Sequence, residues 1–504
     1  MSLFVKMPMS ELMAESADSE KGLKRTLTAG ALVALGIGAI IGAGLFVRTA
    51  AAAAQNAGPS VTLGFIVAAI GCALAGLCYA ELSSSIPISG SAYTYTYATM
   101  GEFMAWIIGW DLVLEYAVGA ATVGIAWSEY LNNLLVNVFH VNAIPYQWCH
   151  SPFEHSVDGI SGIMNIPAFG IIALLSLLLI KGTKESAFVN GIIVITKVSI
   201  VILIIVFGWG FINSGNHTPY IPEPSTYTDS QGIAHTYGGI MGILGAAGVV
   251  FFAFIGFDAV STAAQETKNP KKSMPIGILG SLAICTVLYI LFAHVLTGLA
   301  PVEFFRTTGK EASVAKAIET FMPGYSWLAK LVTVAILAGF SSVILVMLLG
   351  QSRVFFSMSR DGLVPKVFSD VHPKFKTPYK ANLIFLVVVG AFAAFIPGDI
   401  VGDMTSIGTL FAFMLVCAAV IILRKTDPNM PRAFKTPLVP FVPILGILVC
   451  GAMIFGLGWT NWARLGGWLL IGFIIYFSYS QFHSKLRKGK VVVPTDPVDP
   501  LNPL

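Results

Sequence analysis

The stretch that decides the fold is LGIGAIIGAGLF, residues 35–46, in which four glycines fall within nine positions. It lies inside a longer apolar run, residues 28–54. Roughly 20 apolar residues are enough for a helix to cross a bilayer. Each glycine lowers helix stability by about 1 kcal/mol relative to alanine. We therefore expect a membrane helix that is interrupted near its middle.

The composition of the whole chain agrees with a membrane protein. Of 504 residues, 56% are hydrophobic and 11% are charged, whereas soluble domains carry about 25% charged residues. This excludes a cytosolic enzyme, a nucleic-acid binder and a disordered scaffold. Twelve continuous apolar runs predict an all-α integral membrane protein rather than a barrel. They cover residues 28–54, 59–87, 102–136, 163–181, 190–213, 238–266, 274–300, 324–356, 381–397, 400–424, 437–458 and 460–482.

The basic residues predict the orientation of these spans. If the N-terminus is cytoplasmic, 23 of the 30 Lys and Arg residues lie on the inner side, as the positive-inside rule requires. We therefore expect both termini in the cytoplasm. The predicted parts are a cytoplasmic segment at 1–26, a membrane domain at 27–482 and a cytoplasmic tail at 483–504.

The sixth span repeats the pattern of the first. Five glycines at positions 238–248 precede FFAFIGFD, which contains Gly256. Two interrupted helices at matching positions indicate an inverted-repeat transporter with its site at the bilayer midplane. The predicted repeats are 27–213 and 238–424, with peripheral helices at 437–482. The alternative is that the glycines only allow helices to pack closely.

Interrupted helices leave backbone groups that need partners. Free N–H groups at residues 43–45 suit a carboxylate. Free carbonyls just before the breaks, near Ile40, Ile41, Phe252 and Ala253, suit an ammonium group. A ligand with both charges close together is an α-amino acid. The predicted substrate-binding residues at the breaks are Ile40, Ile41, Gly42, Ala43, Gly44, Leu45, Phe252, Ala253, Phe254 and Ile255.

Three stretches resemble a known family. IGAIIGAGLF (37–46) resembles the first-helix motif of the amino acid-polyamine-organocation transporters. FFAFIGFDAVSTAAQETKNPKKSMPIGI (251–278) and SRDGLVPKVFSDVHPKFKTPYKANLI (359–384) are similar to its cationic amino acid transporter branch. The resemblance implies a leucine-transporter-type fold of two inverted five-helix repeats with about twelve helices, the first and sixth unwound. It also implies a permease that imports L-amino acids across the bacterial cytoplasmic membrane by alternating access.

Lys197 stands inside the fifth span, where ionisable residues are functional by default. Away from water its charge loses solvation, so it can gain and release a proton during a cycle. In proton-coupled relatives, as the resemblance implies, a lysine here replaces the sodium ion of other carriers. Ser341 and Ser342 resemble its partners on the eighth span. The alternative is a lysine that snorkels to the interface.

Three carboxylates complete the predicted coupling residues. Asp111 and Glu115 are four residues apart on the third span, so they share a helix face. They could pair with Lys197, bind a cationic side chain or relay protons. Asp258 follows the sixth-span break, where the family motif has an acidic residue, and is expected to link substrate occupancy to helix movement. Its alternative role is to cap the restarted helix.

Two apolar residues are predicted to shape the substrate cavity. Phe252 stands where relatives close the site on the outer side, although an aromatic in a membrane helix can simply pack. Met347 on the eighth span is expected to approach the substrate side chain. Some cationic carriers have a small polar residue there, so Met347 favours smaller, neutral amino acids.

The leading hypothesis is a proton-coupled symporter that works as a monomer, with an amino acid and the lipid bilayer as partners. Alternatives are a proton-independent amino acid or polyamine exchanger and an amino acid sensor with a transporter fold. Nucleotide-binding and hydrolase motifs are absent from the sequence, so no enzyme is expected. No cofactor or metal is expected either, because Cys149, His150 and His155 match no closed metal site.

Overall fold

The computed structural model describes residues 5–8, 25–42, 44–154, 159–228, 234–308, 313–456 and 459–488. The predicted cytoplasmic segment 1–26 and tail 483–504 are therefore described only in part. Ala43 and His155 lie outside the described residues.

Most of the described chain is helical. Eight helical stretches are long and apolar enough to cross a membrane, and four shorter apolar helices accompany them. Each of the twelve predicted apolar runs contains helix. The helices of more than six residues are α1 (Ala29–Ile40), α2 (Val61–Ser85), α3 (Ala92–Thr99), α4 (Glu102–Val113), α5 (Gly119–Asn137), α6 (Ile166–Lys181), α7 (Thr183–Gly208), α8 (Gly239–Phe251), α9 (Pro270–Leu299), α10 (Val302–Thr308), α11 (Ser313–Phe321), α12 (Ser326–Arg360), α13 (Tyr379–Phe395), α14 (Gly398–Thr426), α15 (Phe441–Gly456) and α16 (Trp459–Ile475).

Burial separates central helices from peripheral ones. In the stretches Glu102–Val136 and Ser326–Arg360, 78% of the most apolar window is buried inside the protein, against 22% in Trp462–His483. On α16, apolar side chains such as Leu470 and Ile474 are exposed, as expected of a surface that faces lipid. The third and eighth spans therefore form the centre, around which the candidate site is built.

The third span contains a local departure from α-helix that could not be predicted from the sequence. Between α4 and α5 the chain forms a π-helical turn, Leu114–Val118. Such turns insert one extra residue into a helix and are frequent at functional sites. This turn carries Glu115 and Tyr116, so it sets the direction of both side chains.

A small hairpin covers one end of the helices. Strands β1 (Ser225–Thr228) and β2 (Ala234–Tyr237) pair antiparallel in the loop between α7 and α8. The Arg306 guanidinium on α10 lies over the rings of Tyr227 and Tyr237, 4.2 and 4.5 Å from their centroids. Its Nε donates to the Ala54 carbonyl at 3.0 Å. Cation–π contact and hydrogen bond together tie the hairpin to the chain just before α2.

A histidine contact holds the beginning of the same loop. The ring of His217 lies 4.5 Å from that of His294 on α9, and its Nε2 is 3.3 Å from the Thr297 hydroxyl. Burial and, to a smaller extent, the neighbouring His294 lower the pKa of His217. The loop is therefore packed around a neutral His217.

Acidification is expected to loosen this loop. A histidine in the unfolded chain titrates near about pH 6.5. Because the folded pKa is lower, the contact is fully stable above that pH and weakens as the pH falls towards the folded pKa. Hydrogen exchange of residues 214–224, corrected for intrinsic rates, should be faster at about pH 5 than at about pH 7. The pH-dependent part should disappear in His217→Asn; if it persists there, His217 is not its source.

A buried carboxylate ties the chain beyond α16 to the start of the third span. Glu102 is fully buried and accepts hydrogen bonds from the hydroxyls of Tyr97 at 3.1 Å and Tyr476 at 3.0 Å. Arg487 Nε lies 2.6 Å from the same carboxylate. The Ser484 hydroxyl also donates to Glu102. With these donors the buried charge is satisfied.

Candidate functional site

The first span is interrupted where its glycines predict. Helix α1 ends at Ile40, and Ile41 leaves the helical conformation with φ −77° and ψ 102°. The chain becomes helical again at Gly44 in a π-helical turn, Gly44–Arg48. The last carbonyls of α1 therefore lack partners within their own helix.

The sixth span is interrupted in the same way. Helix α8 ends at Phe251 and continues as a 3₁₀ turn, Phe252–Phe254. Gly256 has a φ of +109°, a conformation that favours glycine. A second 3₁₀ segment, Asp258–Glu266, follows the break. The carbonyls around Ala253 are thus also outside regular helix.

The two breaks lie directly against each other. A Cβ atom added to Gly44 would be 2.2 Å from the Ala253 Cα. At Gly256 an added Cβ would be 2.8 Å from the Ala39 Cβ. Only glycine allows the two segments to come this close, so these two glycines serve both the interruption and the packing.

Lys197 supplies donors to the first break. Its Nζ, fully buried on α7, donates to the carbonyls of Gly38 at 2.8 Å and Ile41 at 2.6 Å. A third bond, at 2.7 Å, goes to the Ser342 hydroxyl on α12. Lys197 therefore connects the fifth, first and eighth spans, and all three ammonium protons have acceptors.

The two predicted serine partners differ. Ser342 contacts Lys197, and its hydroxyl donates to the Gly38 carbonyl. Ser341 points elsewhere: its hydroxyl donates to the Leu337 carbonyl at 2.8 Å and accepts from Trp127 Nε1 at 3.0 Å. The structure thus brings only Ser342 to the lysine, while Ser341 joins α12 to α5.

The three predicted carboxylates are all fully buried. Asp258 accepts a hydrogen bond from the Tyr116 hydroxyl at 2.6 Å. Glu115 lies beside Asp258 and Thr409. Its two carboxylate oxygens accept no hydrogen bond from the described residues. Asp111 lies against Gly408 on α14. The carboxylates therefore cluster with each other and with Tyr116, while the lysine donates to carbonyls and a hydroxyl.

The predicted side-chain pocket brings three helices together. The Met347 sulfur is 3.1 Å, and a Thr405 methyl 3.4 Å, from the position of a Cβ added to Gly119. These residues lie on α12, α14 and α5. Met347 is buried, and its thioether and the Thr405 methyl group pack against the third span at Gly119.

Phe252 has a charged neighbour. The Arg48 guanidinium lies over its ring, 5.3 Å from the centroid. The contact joins the two restarted segments, because Arg48 ends the turn after the first break and Phe252 begins the turn at the second.

Sequence reasoning missed two contacts. Glu266, at the end of the predicted span 238–266, is buried and pairs with Arg353 on α12 at 2.7 Å. Arg353 lies inside the predicted span 324–356. A charged residue within a membrane span usually has a buried partner, so its position alone indicates such a pair. Tyr289 on α9 was also missed. Its hydroxyl lies 2.7 Å from the Ile40 carbonyl and 2.9 Å from the Ala253 carbonyl.

A multi-span helical protein in which two interrupted helices meet, with a buried lysine bonded to one of the breaks, is, by its class, a membrane transporter rather than an enzyme. Comparison with known proteins gives the family: the model described as amino acid permease matches residues 27–478, and the chain belongs to this family. The resemblance to the amino acid-polyamine-organocation transporters is confirmed.

Several curated relatives match over nearly the whole chain. The branched-chain amino acid permease BcaP of Bacillus subtilis (strain 168) is 45% identical over 488 residues, which cover 97% of this chain and 99% of the relative. The methylthioribose transporter of the same strain is 40% identical, covering 97% of this chain and all of the relative. Cationic amino acid transporter 2 of Arabidopsis thaliana, a vacuolar protein, is 34% identical over 81% of this chain and 61% of its own length.

Proposed function

We propose that this permease imports neutral, apolar L-amino acids across the bacterial cytoplasmic membrane together with protons, by alternating access. The observation that carries the proposal is the direct contact between the two helix breaks at Gly44 and Ala253. The proposal includes two inverted five-helix repeats, cytoplasmic termini and a monomeric carrier, with helices beyond residue 437 at the periphery.

The backbone at the breaks supports an α-amino acid as the substrate. Carbonyls of Ile40 and Ala253 point to one place, where a single hydroxyl reaches both. The turn that restarts at Gly44 offers N–H groups of the kind that bind a carboxylate at helix N-termini. An ammonium and a carboxylate on the same carbon match this arrangement of acceptors and donors.

The surroundings of Met347 support a substrate with a neutral side chain. A lysine or arginine side chain would need an acceptor there, because a buried charge without a partner is strongly unfavourable. Met347 and Gly119 bring a thioether and a backbone surface to this place. The relative named for branched-chain amino acids points in the same direction.

Lys197 supports coupling to protons. It reaches the first and eighth spans through Gly38, Ile41 and Ser342, as a bound cation would through oxygen ligands. A lysine that loses its proton gives up one of these donors, so protonation would change how the three helices are held.

Uptake into liposomes tests this proposal. Purified protein should accumulate radiolabelled leucine or alanine against a gradient when the outside is more acidic. An unlabelled competitor series of all twenty amino acids should rank apolar ones above arginine and lysine. No response to any amino acid would remove the substrate class, and accumulation that an uncoupler leaves unchanged would favour the exchanger.

Methylthioribose is the second candidate substrate because one relative carries that name. It has neither the ammonium nor the carboxylate that the two breaks match, so we expect it to compete poorly. Including it in the competitor series separates the two candidates directly.

A further inference from the structure

Tyr289 bridges the two broken helices. It lies within α9 and is fully buried. Its hydroxyl oxygen is 2.7 Å from the Ile40 carbonyl and 2.9 Å from the Ala253 carbonyl. One of these carbonyls ends the helix before the first break, and the other lies in the turn at the second.

Aromatic neighbours fix the hydroxyl in this position. The ring of Tyr289 packs 5.4 Å from that of Phe65 on α2 and 5.3 Å from that of Phe254. In this state, packing against both neighbours holds the ring with its hydroxyl between the two carbonyls. The contact is therefore determined by packing as well as by hydrogen bonding.

A hydroxyl cannot serve both carbonyls at once. Tyrosine has a single O–H proton, so one of the two carbonyls is without a donor at any moment. In a buried place an unpaired carbonyl is unfavourable. A primary ammonium group has three N–H donors and could satisfy both carbonyls together.

Lys197 does not donate a hydrogen bond to either of these two carbonyls in the structure. Its bonds go to Gly38 and Ile41, the carbonyls on either side of Ile40 along the break. The carbonyl of Ile40 is thus left to Tyr289. The coupling residue and the tyrosine hold different acceptors of the same break.

We propose that Tyr289 is a positioning residue that substitutes for the ammonium group of the substrate. It holds the two breaks together when the carrier changes orientation without an amino acid, and yields both carbonyls when an amino acid binds. This inference rests on the proposed function, because it needs a substrate with an amine. It concerns the return of the unloaded carrier, a step separate from substrate recognition and proton binding.

Net uptake and exchange distinguish this role. Net uptake requires the unloaded carrier to return, whereas exchange of internal for external amino acid does not. In Tyr289→Phe the unloaded carrier loses the hydroxyl that donates to the carbonyls of Ile40 and Ala253. The loaded carrier keeps the substrate amine as their donor. We expect net uptake of leucine to fall about tenfold, the size of effect that one buried hydrogen bond can have on a rate, and exchange to stay within about threefold.

Tyr79→Phe is the matched control. Tyr79 is also fully buried among aromatic rings, but its hydroxyl has no hydrogen-bond partner among the described residues. Its removal should leave the ratio of net uptake to exchange unchanged. If Tyr289→Phe does not accumulate in the membrane, Phe65→Leu gives the same comparison, because it loosens the ring and keeps the hydroxyl.

The outcomes separate the two proposals. A lower ratio of net uptake to exchange in Tyr289→Phe supports the role. An equal loss of both activities, or no loss of either, overturns it while leaving amino acid transport intact in the wild type. A wild type that exchanges no amino acid overturns both proposals.

Discussion

Lys197→Met is expected to abolish uphill accumulation while leaving exchange of amino acids measurable. A gradient of one pH unit is worth about 1.4 kcal/mol per proton, enough for about tenfold accumulation in a one-to-one symporter. Methionine carries no proton, so the variant should reach only the external concentration. The measurement is the steady-state ratio of internal to external leucine in liposomes with an imposed pH gradient.

The control for this variant is Lys330→Met. Lys330 is exposed on α12, so its replacement removes the same charge without touching Gly38 or Ile41. Accumulation should be unchanged there. Lys197→Met also removes the lysine donor from the buried Ile41 carbonyl, at a cost of about 1–3 kcal/mol, while the Gly38 carbonyl keeps the Ser342 hydroxyl. Exchange must therefore be measured to show that the variant is folded. Undiminished accumulation in a folded Lys197→Met would refute the coupling role.

Gly44→Ala is expected to lower both uptake and exchange by at least about tenfold, since overpacking costs about 1–3 kcal/mol. The added methyl carbon would be 2.2 Å from the Ala253 Cα. Backbone cannot move aside as the end of a flexible side chain can, so the two breaks must separate. Initial rates of leucine uptake and exchange, normalised to the amount of folded protein, measure the loss.

Gly30→Ala provides the comparison within the same span. An added Cβ at Gly30 meets nothing within 4 Å, and alanine is the better helix former. This variant should transport as well as the wild type. Full activity in Gly44→Ala would mean that the contact of the two breaks is not needed for transport.

The positions of the two interruptions could be predicted because their cause is local. Glycines act on their own helix, so the spacing in residues 35–46 is enough to place a break. The same is true of the apolar runs, whose length and composition determine which stretches can cross a membrane. Lys197 could be singled out because a charge inside such a run is conspicuous.

Contacts between distant helices could not be predicted in this way. Neighbouring residues on a helix point about 100° apart, so choosing Ser342 over Ser341 requires the rotation of α12, which packing determines. The pairing of Glu266 with Arg353 joins positions 87 residues apart. The π-helical turn at Leu114–Val118 contains neither glycine nor proline. Its sequence therefore does not indicate that the α-helix is interrupted there.

The cluster around Glu102 has a consequence for biosynthesis. Arg487 lies 385 positions after Glu102. Chains are synthesised at about 5–20 residues per second, so Arg487 follows Glu102 after an interval on the order of a minute. During that time the beginning of the third span cannot be buried in its final form at low cost. The nascent protein can therefore complete this end of the helices only after residue 487 has been translated.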